Sequence, residues 1–242
     1  MRMAARLALC GGIVVLGAVA LRAGAAHPPA GACDPHGVLL TTLPAPPPNI
    51  DAVRRHLATR ALLPDQADTV LIGDSLVQGW PPALAEAAFG RVVNLGVNGD
   101  RTQNVLWRLG DLTPDRLRQL HPKRVLIIIG TNNLSSDSPC AVAAGIRAII
   151  RQARSIWPGA TVAWVEIPPR GAAFADFASK RDQVNAEIRA TERTIDVDKA
   201  ISCDRHQPCA HYRPDLLHWT RAGYEVLGAE APKAFRALEA KR

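Results

Sequence analysis

At 242 residues, with 48% hydrophobic and 21% charged, the chain has the balance of a globular protein with an ample core. Collagen-like, disordered and multi-span membrane architectures are excluded. The formal charge of +7 comes without a basic run long enough to track a phosphate backbone, and only 5% of residues are aromatic, so nucleic acid is not an expected partner.

The first 26 residues read as a signal peptide. Residues 1–6 are short and positive, 7–21 are apolar, and Ala23-Gly24-Ala25-Ala26 offers small residues at cleavage spacing. Export to the periplasm or beyond follows. The apolar run falls short of the ~20 residues that span a bilayer comfortably, although Arg22 keeps an uncleaved membrane tether as the alternative. Cys10 lies inside the apolar run behind Leu9 and does not suit lipidation. From 27 to 48 come Pro28, Pro29, Pro35, Pro44, Pro46, Pro47 and Pro48, which predict an extended linker or strap. Residues 49–242, with no repeat and no second linker, read as one domain.

Within that domain β-branched runs at 69–72, 91–95, 125–129, 161–167 and 194–197 predict five strands. Between them Val142, Ile146, Ile149, Ile150, Ala153 and Trp157 recur at helical spacing, and Val184, Ile188 and Thr191 do so more weakly. Thr220 is placed to cap a last helix through Tyr224, Leu227, Ala231, Phe235 and Leu238. Such alternation predicts a parallel sheet covered on both faces, with ligands bound beyond the carboxyl ends of its strands.

Past the leader the cysteines are Cys33, Cys140, Cys203 and Cys209, an even number that suits an oxidising compartment. Of three connectivities the favoured one joins Cys203 to Cys209 in a short local loop, worth about 2 kcal/mol by loop closure, and leaves Cys33 with Cys140. A metal set of Cys203, His206, Cys209 and His211 matches no common zinc spacing.

Three strands run into polar turns: Gly73-Asp74-Ser75, Asn94-Leu95-Gly96-Val97-Asn98-Gly99 and Gly130-Thr131-Asn132-Asn133. A fourth segment, Asp215-Leu216-Leu217-His218, precedes the last helix. Parallel strands bring all four to one sheet edge. Ester cleavage accounts for each residue type. Serine is a poor nucleophile without a base, so His218 would activate Ser75. Asp215, one helical turn from His218, would fix its tautomer. The N–H groups of Ser75 and Gly96 and the amide of Asn132 would receive the oxyanion, with glycine at 96 allowing close approach.

These blocks resemble the SGNH or GDSL hydrolases, which centre on a Ser, a Gly, an Asn and a His in this order. The resemblance runs toward the catalytic subunits of brain-type platelet-activating-factor acetylhydrolase through Gly99-Asp100-Arg101-Thr102, Val105-Leu106-Trp107-Arg108-Leu109, Gly130-Thr131-Asn132-Asn133, Pro169-Arg170-Gly171, Leu217-His218-Trp219-Thr220 and Gly223-Tyr224. It covers residues 70–227. It implies a flavodoxin-like three-layer α/β/α sandwich with a five-stranded parallel sheet, a triad of Ser75, Asp215 and His218, an oxyanion hole of Ser75, Gly96 and Asn132, and no metal or cofactor. Asn133 follows that branch, where many SGNH hydrolases have Asp. The leader, the proline-rich segment and the cysteines depart from the cytosolic acetylhydrolases, so their lipid and partner proteins do not transfer.

The sequence therefore predicts an exported serine esterase acting on short acyl esters, acetyl foremost, of a carbohydrate, lipid or small molecule. A lysophospholipase or thioesterase of the same fold would need a long apolar groove; an envelope binding protein that had lost turnover would have no chemical need of base and oxyanion donors together. Ser75 lacks the second glycine of a G-x-S-x-G elbow, and the loop 96–99 lacks both nucleotide-binding glycine patterns. Trp107 and Trp157 read as packing residues, and Arg170 suits an anionic substrate group or solvent equally. A homodimer is neither required nor excluded.

Overall fold

The computed structural model describes residues 33–112 and 114–240, so the leader lies outside the described residues. Five strands form one parallel sheet: β1 (Thr69–Gly73), β2 (Val92–Gly96), β3 (Arg124–Ile128), β4 (Thr161–Val165) and β5 (Thr194–Ile195), in the spatial order β2-β1-β3-β4-β5. The order reverses between β1 and β3, where this class of sheet opens a crevice at its carboxyl edge.

Strand periodicity divides the core in two. Val70, Ile72, Val125 and Ile127 point to one face, where they are buried with residues of α5 (Thr102–Asp111), α7 (Pro139–Ile156) and α8 (Ala178–Arg189). Leu71, Leu126 and Ile128 point to the other, against α3 (Ser75–Gln78), α4 (Pro82–Phe89) and α10 (Arg221–Glu239). This is the three-layer α/β/α sandwich. The helical spacing of Val142, Ile146, Ile149, Ile150 and Ala153 is the buried stripe of α7, capped by the Ser138 side chain. Thr220 caps α10 through Gly223 N–H. Trp157 is buried and donates to the Leu117 carbonyl at 2.6 Å; Trp107 packs 5.2 Å from the His56 ring.

β4 and β5 each end two residues before their apolar runs do. Beyond Val165 the chain leaves the sheet because Asn185 takes a strand's place: its side chain accepts from Ile167 N–H and donates to Ile167 C=O, at 3.0 and 3.1 Å. After Ile195 the Asp196 carboxylate accepts Asp198 N–H and starts the turn into α9 (Asp198–Ile201).

Of the segment predicted as a linker or strap, residues 33–48 are described, and they lie against the domain, partly as helix, rather than as a free linker. Asp34 caps α1 (Pro35–Thr42), and Pro35 occupies the first helical turn, where a missing N–H costs nothing. The buried Thr41 hydroxyl donates to Ala141 C=O at 2.6 Å, and Cys33 is joined to Cys140. Further on, Asn104 of α5 donates to the carbonyls of Ala45 and Pro46. The compact unit accordingly starts at Cys33, and residues 33–48 belong to it. The helix α2 (Ile50–Ala61) follows, and α6 (Pro114–Arg118) precedes β3.

Candidate active site

Each of the four polar segments leaves the carboxyl edge of the sheet or the hairpin facing it. β1 ends at Gly73, and the next residues turn directly into α3. The buried Asp74 carboxylate caps this short helix by accepting Leu76 N–H at 2.9 Å, which sets Ser75 at its first position. The N–H of Ser75 has no hydrogen-bond partner among the described residues.

His218 arrives on a hairpin. Tyr212 and Trp219 form an antiparallel bridge, with Thr220 N–H on His211 C=O and Arg213 N–H on His218 C=O. Both flanking aromatics are buried, and the Tyr212 hydroxyl donates to Pro169 C=O at 2.7 Å. The hairpin tip is a turn with Leu216 in the left-handed region, at φ 54°, rather than the helical turn that the Asp215–His218 spacing suggests. Asp215 holds the tip together: Oδ1 accepts the N–H groups of Leu217 and His218 at 3.0 and 2.8 Å. Its Oδ2 lies 2.9 Å from His218 Nδ1. On the far side of the ring, Nε2 lies 2.9 Å from Ser75 Oγ. The structure thus joins three residues from two distant segments in one hydrogen-bonded line.

Burial pushes the Asp215 carboxyl up, but the His218 amide, the His218 ring and the Leu217 amide outweigh it and hold the group at about 2. It is ionised at neutral pH. A carboxylate can only accept, so Nδ1 carries the proton and Nε2 is left to accept from the Ser75 hydroxyl.

Asn132 is steered by one hydrogen bond, from Nδ2 to Asp100 C=O at 2.9 Å, which leaves the second N–H of the amide without a partner among the described residues. Asn133 is structural: its Oδ1 accepts Thr102 N–H and its Nδ2 donates to Asp137. Gly96 differs from the role expected of it. Its N–H donates to the Asn94 side chain at 2.9 Å, and its lack of a Cβ serves packing, since that atom would lie 2.3 Å from Gln78 N of α3. In the following turn Asn98 N–H is taken by Gln78 Oε1 and Asp100 N–H by Val97 C=O. Gly99, at φ 77° with open space around its Cβ position, carries the N–H of this turn that has no partner among the described residues.

A buried charge cluster underlies the site, formed by Asp100 and Arg108 from two of the segments that carry the family resemblance. Arg108 donates from Nε to Asp100 Oδ2 at 2.7 Å and reaches the carbonyls of Leu95 and Gly73, tying the ends of β2 and β1 to the loop that holds Asn132. Burial pushes Asp100 up to about 6, against the pull of Arg108. Asp74 is wholly buried and rises to about 7 through desolvation, opposed by the Leu76 amide and reinforced by Asp100.

The cleft above Ser75 has a volume of about 300 Å³ and is lined by Ser75, Gln78, Gly79, Asn98, Arg213, His218 and Tyr224. Arg170 does not line it. Its guanidinium donates to Thr131 Oγ1 at 3.1 Å and stacks over Phe177, so it braces the Gly130–Asn133 turn. Cys203 is joined to Cys209, next to His211. These three are the one group among the described residues whose ligand atoms gather as for a metal, and with the sulfurs bonded to each other they offer no thiolate.

Fold and site together form a three-layer α/β/α sandwich in which a serine hydroxyl faces an imidazole at the carboxyl edge of a parallel sheet. The chain belongs to the GDSL-like lipase/acylhydrolase family, whose profile matches residues 71–226. It is 32% identical over 171 residues to the alpha1 subunit of platelet-activating factor acetylhydrolase IB from Rattus norvegicus, covering 66% of this chain and 71% of that one. The alpha2 subunit from the same organism is 28% identical over the same length. Among solved structures, a GDSL-like lipase from Bacteroides thetaiotaomicron superposes with a TM-score of 0.61 at 19% identity, over 76% of this chain and 97% of that one. A carbohydrate acetylesterase from Sinorhizobium meliloti does so with 0.57 at 17%, over 72% and 100%.

Proposed function

We propose that this protein is an exported serine esterase that hydrolyses short acyl esters through an acyl-enzyme on Ser75. The observation that carries the reading is the line from Asp215 Oδ2 through His218 to Ser75 Oγ, with both contacts at 2.9 Å. Ser75 Oγ attacks the ester carbonyl while His218 Nε2 takes its proton, and the carbonyl oxygen becomes an oxyanion. The C–O bond to the alcohol then breaks as His218 returns that proton to the leaving oxygen. Water, deprotonated by His218, attacks the acyl carbon, and the acid departs with Ser75 restored.

Three donors remain unengaged for the oxyanion: the N–H of Ser75, the second N–H of the Asn132 amide, and the N–H of Gly99. Gly99 takes the place first assigned to Gly96, whose N–H already serves Asn94. Preset donors of this kind are each worth roughly 3 kcal/mol in the transition state.

The polar lining and modest size of the cleft support a short acyl group, as do the names of the acetylhydrolase and acetylesterase relatives. Hydrolysis of 4-nitrophenyl esters from C2 to C12 tests this: rates fall with chain length under the present reading, and a clear preference for C8 or longer would instead establish a lysophospholipase or thioesterase. Export is supported by the leader pattern and by the two disulfides, Cys33–Cys140 and Cys203–Cys209. N-terminal sequencing of protein recovered outside the cytoplasm tests it, with a start after the small residues at 23–26 expected and an intact Met1 contradicting cleavage.

A further inference from the structure

The cleft presents donors to a substrate, the Asp215 carboxylate standing behind the His218 ring. Gln78, Asn98 and Arg213 supply its polar lining beside the reacting residues, and no carboxylate lines it. Arg213 makes no ion pair among the described residues. Its Nε donates to Trp219 C=O at 3.0 Å, which fixes the plane of the guanidinium and leaves both terminal nitrogens without a partner. Gln78 is oriented as well: its Oε1 accepts Asn98 N–H at 2.7 Å, so its Nε2 is an unengaged donor. A planar cation held by the Trp219 carbonyl across the hairpin, with terminal donors unspent and neutral amides alongside, is the arrangement that receives a carboxylate or phosphate.

Position decides which half of an ester meets it. The leaving alcohol must lie against His218 Nε2, which returns the proton to it. Arg213 belongs to the same hairpin as His218, its N–H bonded to His218 C=O at 2.8 Å, and lines the same cleft. We infer that Arg213 is a specificity residue and that the substrate is a short-acyl ester whose alcohol part carries an anionic group, bound by the Arg213 guanidinium with help from Gln78 and Asn98. This rests on the esterase reading above and adds the charge of the substrate to it.

The test uses 3- and 4-acetoxybenzoate against the matching acetoxybenzamides, which have nearly the same shape and lack the charge. Each kcat/KM is divided by the hydroxide-catalysed rate of the same ester. Wild type should favour the carboxylate in at least one pair by about fivefold, as expected for an ion pair open to water, and added salt should shrink the preference. Arg213→Met should bring the ratio to about one, and Arg213→Lys should keep part of it, which separates charge from folding. A wild-type ratio of one or less in both pairs, or a preference that survives in Arg213→Met, would overturn the assignment while leaving the esterase intact. Failure of wild type to turn over any of the four would strike the esterase reading itself.

Discussion

The Asp215 carboxylate grips His218 twice, accepting its backbone N–H on Oδ1 at 2.8 Å and meeting its ring Nδ1 with Oδ2 at 2.9 Å. One side chain thereby fixes both the hairpin tip and the imidazole that it carries. Rotation of the ring away from Ser75 would cost a hydrogen bond to a group that the backbone already holds in place.

Asp215→Asn separates these two tasks. The carboxamide oxygen can still accept the backbone N–H groups, but its NH₂ must face Nδ1, which forces the proton onto Nε2 and removes the acceptor for Ser75. We expect kcat to fall by about a hundredfold or more, with KM and thermal stability little changed. Steady-state kinetics on 4-nitrophenyl acetate with a parallel melting curve check this.

For the oxyanion, Asn132→Ala should lower kcat by roughly a hundredfold, about 3 kcal/mol, without a comparable rise in KM, because the lost donor acts on charge that develops only in the transition state. A change confined to KM would place Asn132 in ground-state binding instead.

The two glycines of the second turn should part company. Gly96→Ala puts a Cβ 2.3 Å from the backbone of α3, so the variant should melt well below wild type. At Gly99 the space is open and only the positive φ is unfavourable, so Gly99→Ala should lose about 1–2 kcal/mol. Thermal denaturation of the two variants side by side distinguishes them.

Much of this fold could be read from sequence because the strands are β-branched and Val70, Leu71 and Ile72 alternate between two buried faces. Convergence of Ser75 and Asn132 followed from the parallel sheet, whereas His218 reaches them on a hairpin well beyond β5. Three features were beyond that reading for physical reasons. The engagement of Gly96 N–H by Asn94 depends on a side chain folding back along its own strand, which no spacing rule encodes. The separation of Asp215 and His218 fits a helix and a hairpin tip equally, and Leu216 gives no warning of its left-handed backbone. The buried pairing of Arg108 with Asp100 joins a helix to the loop before it, so neither residue announces its burial. By contrast Asp34-Pro35 did carry a helix-start signal, outweighed by the prolines around it.

Asp74 gives the molecule a measurable pH dependence. Its carboxyl moves from 3.8 to about 7 on burial, so between these values the native state binds more protons than the unfolded chain. Stability must then fall as pH rises through that window. In Asp74→Asn this contribution is absent, while that of Asp100 remains. The stability of wild type relative to the variant, from chemical denaturation at several pH values, should therefore decline between about pH 4 and 7. A difference that does not vary with pH would contradict the assignment.

The most direct test of Ser75 as nucleophile is intact-mass spectrometry after exposure of the folded protein to a fluorophosphonate. One phosphonyl adduct should form, map to Ser75 and be absent from Ser75→Ala. Folded protein that stays unlabelled, or labelling that persists in Ser75→Ala, would contradict the account.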